Sequence, residues 1–168
     1  MKTNAELFLE MCELQEKTDQ MIFEKQRMLS VPSVETYVLA LVDEVGELNH
    51  ELKPQWCWWK AQPGEVDWTR VLDEIVDIWH FCLSLLIQRS GIKREDLAAE
   101  LDYEAKQLYQ PTDFLWHFNT GFVGRNQLVF AFNHLIGWGN SFGFDFPTVY
   151  EAYKKKNEEN NERAQSDY

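Results

Sequence analysis

The chain has 168 residues, of which 45% are hydrophobic and 14% aromatic, and it carries a formal net charge of −12 at pH 7. This length fits one domain over residues 1–168, and the hydrophobic content is enough for a core, which excludes wholesale disorder. The acidic charge argues against a nucleic-acid polymer or an anionic membrane as a partner, because either would repel the chain.

The first part of the chain predicts two helices, because its apolar residues recur at helical intervals and β-hairpin signals are weak. Thr3 or Asn4 can cap a first helix that runs to about Met28. Ser33 can cap a second helix that ends near Pro54. Both starts follow from the preference of short polar side chains for helix N-caps.

The middle of the chain predicts three more helical segments. An aromatic loop at 56–64 precedes a third helix, from about Asp67 to just before Gly91. A fourth, amphipathic helix is predicted from Glu95 to Leu108, and a fifth candidate spans Asp113 to Trp138. A break is expected inside that candidate, at Thr120–Gly121 and Gly124, because glycine interrupts helices.

The end of the chain predicts a loop and a final helix. Gly137, Gly139 and Gly143 predict the loop. The final helix begins at Phe146-Pro147 and ends near Arg163. The chain is therefore predicted to be an all-α bundle of about five to six helices.

The N-terminus and the cysteines favour a cytoplasmic protein. Residues 1–11 lack the apolar core and the cleavage site of a signal peptide. The most apolar run, Ile75 to Ile87, is too short and too polar to span a membrane. Cys12, Cys57 and Cys82 are odd in number and lack metal-site spacing, so reduced and partly buried thiols are expected.

Two acidic motifs on the second and third helices are the strongest functional signal. Glu44-x-x-Glu47 and Glu74-x-x-Asp77 each place two carboxylates on one helix face, because residues three apart have β-carbons about 5–6 Å from each other. The stretches Val34 to Leu52 and Val71 to Gln88 contain no Lys or Arg, although solvated charged faces usually mix both signs, and Arg70 and Arg89 lie just beyond the second stretch. The motifs therefore indicate either a metal site or an unusual solvated face.

The ligand type selects the metal. Carboxylate oxygens without a Cys or His cluster favour Mg²⁺, with Mn²⁺ as the alternative, over Zn²⁺. Mg²⁺ held by a few carboxylates usually also binds the phosphates of a substrate.

Two further features lie close to these motifs in the sequence. His80 follows Asp77 by three residues, on the same helix face, and is either a core histidine bonded to a backbone carbonyl or a substrate contact. Trp56 opens a run of three tryptophans around Cys57 that ends at Lys60. Such a run is either a packing lid or a surface on which a planar base stacks, with the lysine beside its phosphates.

Polar residues near both termini have helical spacing. Lys156, Asn160 and Arg163 fall on one face of the last helix, which is either a frayed terminus or a grip for anionic oxygens. Gln15 and Asp19 lie one turn apart on the first helix. They are either solvent-exposed or read the edge of a base, and the sequence does not separate these alternatives.

Taken together, these motifs resemble the all-α nucleoside triphosphate pyrophosphohydrolases, and within them the dimeric type of dUTPase and its phage dCTPase-dUTPase relatives. The resemblance covers most of the chain and is carried in order by Glu44-Val45-Gly46-Glu47-Leu48, Trp56-Cys57-Trp58-Trp59-Lys60, Glu74-Ile75-Val76-Asp77-Ile78-Trp79-His80-Phe81 and Lys156-Asn157-x-x-Asn160-x-x-Arg163 before Tyr168. Four motifs in the same order form a specific signal.

The resemblance implies a role for each of these residues. The Mg²⁺ ligands would be Glu44, Glu47, Glu74 and Asp77. Glu47, or Glu44 as a second candidate, would accept a proton from the attacking water. Trp56 and His80 would line the pocket for base and deoxyribose, and Gln15 and Asp19 would lie at the base. The residues that would contact phosphates are Lys60, Lys156, Asn160, Arg163 and Tyr168.

The resemblance also implies the reaction and the assembly. A homodimer would hydrolyse dUTP, and also dUDP or dCTP, to the nucleoside monophosphate, with release of pyrophosphate from the triphosphates. A broader house-cleaning pyrophosphatase of deoxynucleoside triphosphates is one alternative. A non-catalytic helical module that binds a partner through the Trp loop is the other.

The chain departs from the family pattern at residue 19. The family has an Asn after Leu-Gln-x-x-Leu that helps to recognise uracil, whereas this chain has Thr18-Asp19. An ionised carboxylate accepts hydrogen bonds but donates none. Recognition of uracil alone is therefore not expected, and the amino group of cytosine becomes a candidate contact.

Overall fold

The computed structural model describes residues 2–62, 64–89, 91–118 and 123–166, and this part of the chain is all-α without a strand. Its helices are α1 (Asn4–Lys25), α2 (Val34–Glu51), α3 (Lys53–Trp56), α4 (Trp68–Ile87), α5 (Arg94–Ala98), α6 (Pro111–Trp116), α7 (Arg125–Phe142) and α8 (Phe146–Gln165). The predicted all-α bundle is confirmed. Long helices form its body, and the short α3, α5 and α6 lie in the connections.

The predicted N-caps of the first two helices are confirmed. The Thr3 hydroxyl accepts a hydrogen bond from the Glu6 backbone N–H at 3.3 Å, and the Glu6 carboxylate accepts one from the Thr3 N–H at 2.6 Å. This capping box satisfies two backbone donors that the first helical turn leaves free. The Ser33 hydroxyl caps α2 by accepting a hydrogen bond from the Thr36 N–H at 3.3 Å.

The fourth predicted helix, Glu95 to Leu108, is wrong beyond its first turn. Only α5 forms, and the following segment lies without helical structure against α7. Asn140 on α7 donates from its amide to the carbonyl oxygens of Tyr103 and Ala105 at 2.9 and 2.8 Å. Tertiary hydrogen bonds thus replace those that a helix would have formed, and local periodicity does not reveal them.

The predicted glycine loop at 137–143 is also wrong for most of its length. Gly137 and Gly139 lie inside α7, which ends only at Gly143 with a φ of 93°. A β-carbon on Gly137 would lie 2.8 Å from the β-carbon of Gln107. The segment after α5 crosses α7 at Gly137. A glycine is needed there so that the two pieces of chain can pack closely.

The fifth candidate, Asp113 to Trp138, divides into α6 and α7. Gly124 is the N-cap of α7. Thr120 and Gly121, where the break was also expected, lie outside the described residues.

The core surrounds α4, which packs against α1, α2, α7 and α8. Trp79 at its centre is fully buried, and its ring stacks on Phe132 with centroids 5.1 Å apart. The three cysteines are buried free thiols. Among the described residues, no helix combines the length and apolarity that crossing a membrane requires.

Replacing Trp79 with Ala should lower the free energy of unfolding by about 3–5 kcal/mol, because the change removes a large side chain from a packed core. Urea unfolding followed by circular dichroism measures this. Trp58→Ala is the matched control, since Trp58 is 88% exposed, and its effect should stay within about 0.5 kcal/mol. Equal losses in the two variants would contradict the assigned core.

Candidate functional site

Packing of α2 against α4 brings together carboxylates from both acidic motifs. Carboxylate oxygens of Glu44, Glu74 and Asp77 lie within 4.8 Å of one another, and all three side chains are partly buried. Glu47, the fourth predicted ligand, is more exposed and stands outside this group. It lines an open surface cavity of about 680 Å³ together with Glu74. The cluster is thus three close carboxylates with a fourth at its rim.

The electrostatics of the cluster favour a cation. Burial, reinforced by the neighbouring carboxylates, raises the pKa of Glu44 and of Glu74 to about 7. Burial also raises the pKa of Asp77. A divalent ion would remove this cost by neutralising the charge that burial penalises.

The last helix brings a cation to the carboxylate cluster. The Lys156 ammonium lies 2.7 Å from Oδ2 of Asp77. The apolar stretches around the two motifs contain no Lys or Arg, but the folded chain brings Lys156 to Asp77. It also pairs Arg70, in the first turn of α4, with Glu51 of α2 at 3.3 Å. Lys156 and Asp77 are 79 positions apart, so no local pattern relates them.

A buried polar network joins α1, α4 and α8 next to the carboxylates. The Gln15 amide nitrogen donates to Oδ1 of Asp19 at 2.7 Å and to the Ser84 hydroxyl at 3.1 Å. The Ser84 hydroxyl in turn donates to the same Oδ1 at 2.9 Å. The Gln15 amide oxygen accepts from the Tyr153 hydroxyl at 2.7 Å and lies 2.6 Å from Nδ1 of His80. Every hydrogen-bonding group of Gln15 is thereby used inside the protein.

His80 is a neutral imidazole with one defined tautomer. Burial lowers its pKa to about 3. Because the Gln15 oxygen can only accept, Nδ1 carries the proton and Nε2 keeps a lone pair. His80 also stacks on Tyr153 with ring centroids 4.3 Å apart. The partner of Nδ1 is thus a side chain and not the backbone carbonyl that a simple core histidine would use.

The network borders a cavity of about 380 Å³. Its lining includes five residues that the sequence analysis predicts at the substrate: Gln15, Asp19, His80, Asn160 and Arg163. The cavity falls within the range of volumes that small-molecule sites occupy. The helix α8 carries Lys156 at the carboxylates and Asn160 at the cavity, so the same helix borders both parts.

A family model described as dUTPase matches residues 7–168. The chain belongs to the dUTPase family. The match runs from the first helix through every motif that suggested the resemblance, which is thereby confirmed. The protein is a nucleoside triphosphate pyrophosphohydrolase of the dUTP diphosphatase type. No curated protein sequence matches the chain.

Two predicted substrate contacts, Trp56 and Lys60, are not among the residues that line this cavity. Trp56 is partly exposed, donates from its indole nitrogen to the Asn49 carbonyl at 2.9 Å, and contacts the Trp59 ring. Trp56 and Lys60 both follow α2, whereas Tyr37, which lines the cavity, is in the first turn of that helix. Tyr168 lies outside the described residues.

Sequence reasoning missed Tyr37, Ser84 and Tyr153. Ser84 follows His80 by one helical turn, and Tyr153 precedes Lys156 by three residues, so extending each motif along its helix would have found both. Tyr37 lines the cavity from α2 and accepts a hydrogen bond from Gln88 on α4. Its position follows only from helix packing.

In the metal-free protein, Glu44→Gln should raise the melting temperature more at pH 8 than at pH 5. The pKa of Glu44 is about 7 in the fold against an ordinary value of 4.5. Protonation of Glu44 therefore stabilises the fold below pH 4.5, and this contribution to the free energy of unfolding is lost as the pH rises through about 7. The glutamine side chain of the variant does not titrate, so the variant has no such loss.

Differential scanning fluorimetry in EDTA measures the two melting temperatures across pH 5–8. Glu158→Gln, which removes an exposed carboxylate of α8, is the control and should show no such change with pH. The assignment fails if the effect of Glu44→Gln is the same at both ends of the range.

Proposed function

We propose that the protein is a Mg²⁺-dependent enzyme that hydrolyses dUTP to the monophosphate and pyrophosphate, and that dCTP or dUDP are further substrates. The observation that carries this proposal is the convergence of Glu44, Glu74 and Asp77 within 4.8 Å beside a cavity of nucleoside size. Family membership supports the reaction type, and the carboxylate cluster supports the metal.

The donor set fits Mg²⁺ in two respects. Every candidate ligand is a carboxylate oxygen, which a hard cation prefers. Burial, and after it the neighbouring carboxylates, raises the pKa of Glu44 and of Glu74 to about 7, so a cation would stabilise their ionised forms. A bound Mg²⁺ ion would supply positive charge that offsets the phosphates and polarises their oxygens. Mn²⁺ satisfies the same ligands.

The residues around the cluster suggest how the substrate lies. The base would enter the cavity beside Asp19 and His80, and the phosphates would extend toward the carboxylates. Lys156 stands where α8 passes the carboxylates, so its ammonium can shift from Asp77 to a phosphate oxygen. Asn160 and Arg163, farther along α8, line the cavity and would hold the sugar and phosphate oxygens. Positioning and charge neutralisation are the main demands of phosphoryl transfer.

A general base completes the proposed mechanism. Glu47 is exposed at the rim of the cluster, so water reaches its carboxylate. We propose that Glu47 accepts the proton of the attacking water, and Glu44 is the second candidate. The protonated carboxylate would then return the proton to solvent.

Two parts of the proposal involve residues remote from the cavity. Contacts of Trp56 and Lys60 with the substrate require the segment after α2 to close over the carboxylates. The proposed homodimer is supported by Leu39 and Val42, which are 71% and 48% exposed on α2 and present apolar surface to solvent. Residues 1–168 would act as one catalytic domain in each subunit.

Glu74→Gln should lower kcat by more than about 100-fold, because the metal contributes several kcal/mol of charge stabilisation in the transition state. Pyrophosphate release from each common deoxynucleoside triphosphate in Mg²⁺ measures activity. Glu158→Gln is the control and should retain full activity. Circular dichroism should show an unchanged helix content in both variants.

The proposal is wrong if neither dUTP nor dCTP releases pyrophosphate in Mg²⁺ or Mn²⁺. A separate measurement tests the metal without catalysis. Mg²⁺ should raise the melting temperature of the wild type but not of Glu74→Gln, since a ligand of the native state stabilises it by about 2.7 kcal/mol at a hundred times its Kd.

A further inference from the structure

The helices α2 and α4 run antiparallel, and contacts at both of their ends fix this arrangement. Tyr37, in the first turn of α2, lines the cavity and accepts a hydrogen bond from Gln88, which follows α4. Glu51, the last residue of α2, lies 3.3 Å from the guanidinium of Arg70 in the first turn of α4. The carboxylate cluster lies between these two contacts. The polar row therefore runs from the cavity, past the carboxylates, to Arg70.

One side of α4 carries this row in the order in which a nucleotide would meet it. His80 lies at the cavity, Asp77 and Glu74 belong to the carboxylate cluster, and Arg70 precedes Glu74 by one turn. Residues three or four apart share a helix face. At a rise of about 1.5 Å per residue, Arg70 lies about 10 Å beyond Asp77 along the helix axis. A nucleotide whose base enters the cavity would place its outermost phosphates nearest Arg70.

The guanidinium of Arg70 is only loosely held. The side chain is 67% exposed, its Nη1 lies 3.3 Å from Glu51, and its Nε lies 4.0 Å from Oδ2 of Asp67. Ion pairs of an exposed arginine contribute little to stability. The planar guanidinium also matches the geometry of phosphate oxygens, which it binds through two parallel hydrogen bonds. Arg70 can therefore exchange Glu51 for a phosphate at little cost.

The charge around this end of the row calls for such a cation. The open cavity of about 680 Å³ beside the cluster is lined by carboxylates of both helices, among them Glu47, Glu51 and Glu74. Lys156 pairs with Asp77 and so lies two helical turns from Arg70. Phosphates that extend past Lys156 into this cavity would meet carboxylates of the same sign. A guanidinium at its edge would offset that repulsion together with the proposed metal.

We infer that Arg70 is a substrate-binding residue that holds the terminal phosphate of the triphosphate and then the released pyrophosphate, with Glu51 as its partner in the free protein. This inference rests on the proposed function and adds a contact to it. On binding, the guanidinium would leave Glu51 for the phosphate oxygens. The monophosphate product lacks these phosphates, so its binding should not depend on Arg70.

Steady-state kinetics with dUTP in Mg²⁺ tests the contact. Arg70→Gln should raise KM by on the order of 10–100-fold, the effect of losing hydrogen bonds to a charged group. The change in kcat should be smaller, because the contact is present in both the ground state and the transition state. Arg94→Gln is the matched control, since it removes another Arg–Glu pair, to Glu16 at 2.9 Å. It should leave both constants unchanged.

A second variant separates binding from a purely structural role. Glu51→Gln breaks the same link between α2 and α4 but frees the guanidinium for phosphate. If Arg70 holds phosphate, Glu51→Gln should lower KM while Arg70→Gln raises it. If the ion pair only ties the two helices together, both variants should lose activity alike, and that result overturns the inference.

Calorimetry with Mg²⁺ and pyrophosphate, and separately with dUMP, measures the contact without turnover. Arg70→Gln should weaken pyrophosphate binding and leave dUMP binding unchanged. This result, together with no hydrolysis of dUTP by the wild type, would overturn the proposed function and keep the assignment of Arg70. Equal pyrophosphate affinity of Arg70→Gln and the wild type overturns the assignment while leaving the proposed function intact. An equal loss for pyrophosphate and dUMP also overturns the assignment, because it would reflect a change in the whole site.

Discussion

The packing of α2 on α4 is the constraint on which the site depends, because it forces like charges together. Leu41, Val45 and Leu48 are buried on the inner face of α2. Each contributes roughly 1.5–3 kcal/mol by leaving water, whereas two unit charges about 4 Å apart repel by about 4 kcal/mol near a protein surface. If all three carboxylates were ionised, their three mutual repulsions would exceed what these three side chains contribute. Burial and the neighbouring carboxylates raise the pKa of Glu44 and of Glu74 to about 7, so protonation reduces the repulsion, and a bound cation would do the same.

The last helix borders both the carboxylate cluster and the cavity. Its Lys156 reaches Asp77, and one turn later its face lines the cavity. A second set of polar contacts fixes this helix against α1: Asn157 donates to the Thr18 hydroxyl at 2.9 Å, and that hydroxyl donates to Asn161 at 2.8 Å. These bonds set the register between the two helices. A slip of one residue would move the phosphate-facing side chains away from the cavity.

Most of the fold could be predicted because helices depend on nearby residues. The caps at Thr3 and Ser33 lie within a few positions of the groups that they bond, so a short window of sequence contains the interaction. The segment after α5 could not be predicted in this way. Its amphipathic pattern is typical of a helix, but Asn140, far along the chain, supplies hydrogen bonds that hold it in a non-helical conformation. Gly137 was wrongly predicted to lie in a loop for the same reason. It must be small because it packs against Gln107, which is distant in the sequence.

The sequence by itself determined the acidic motifs, the family and the type of metal ligand, because residue type and helical spacing define which carboxylates share a face. Only the tertiary structure decided which of them meet, since the distance between Glu44 and Asp77 depends on how two helices pack. It also supplied the lysine beside them and separated Trp56 from the cavity. Asp19 shows this division most clearly. The sequence reveals a carboxylate at this position, but the hydrogen bonds that Oδ1 accepts from Gln15 and Ser84, and the lack of a partner for Oδ2 among the described residues, exist only in the folded chain.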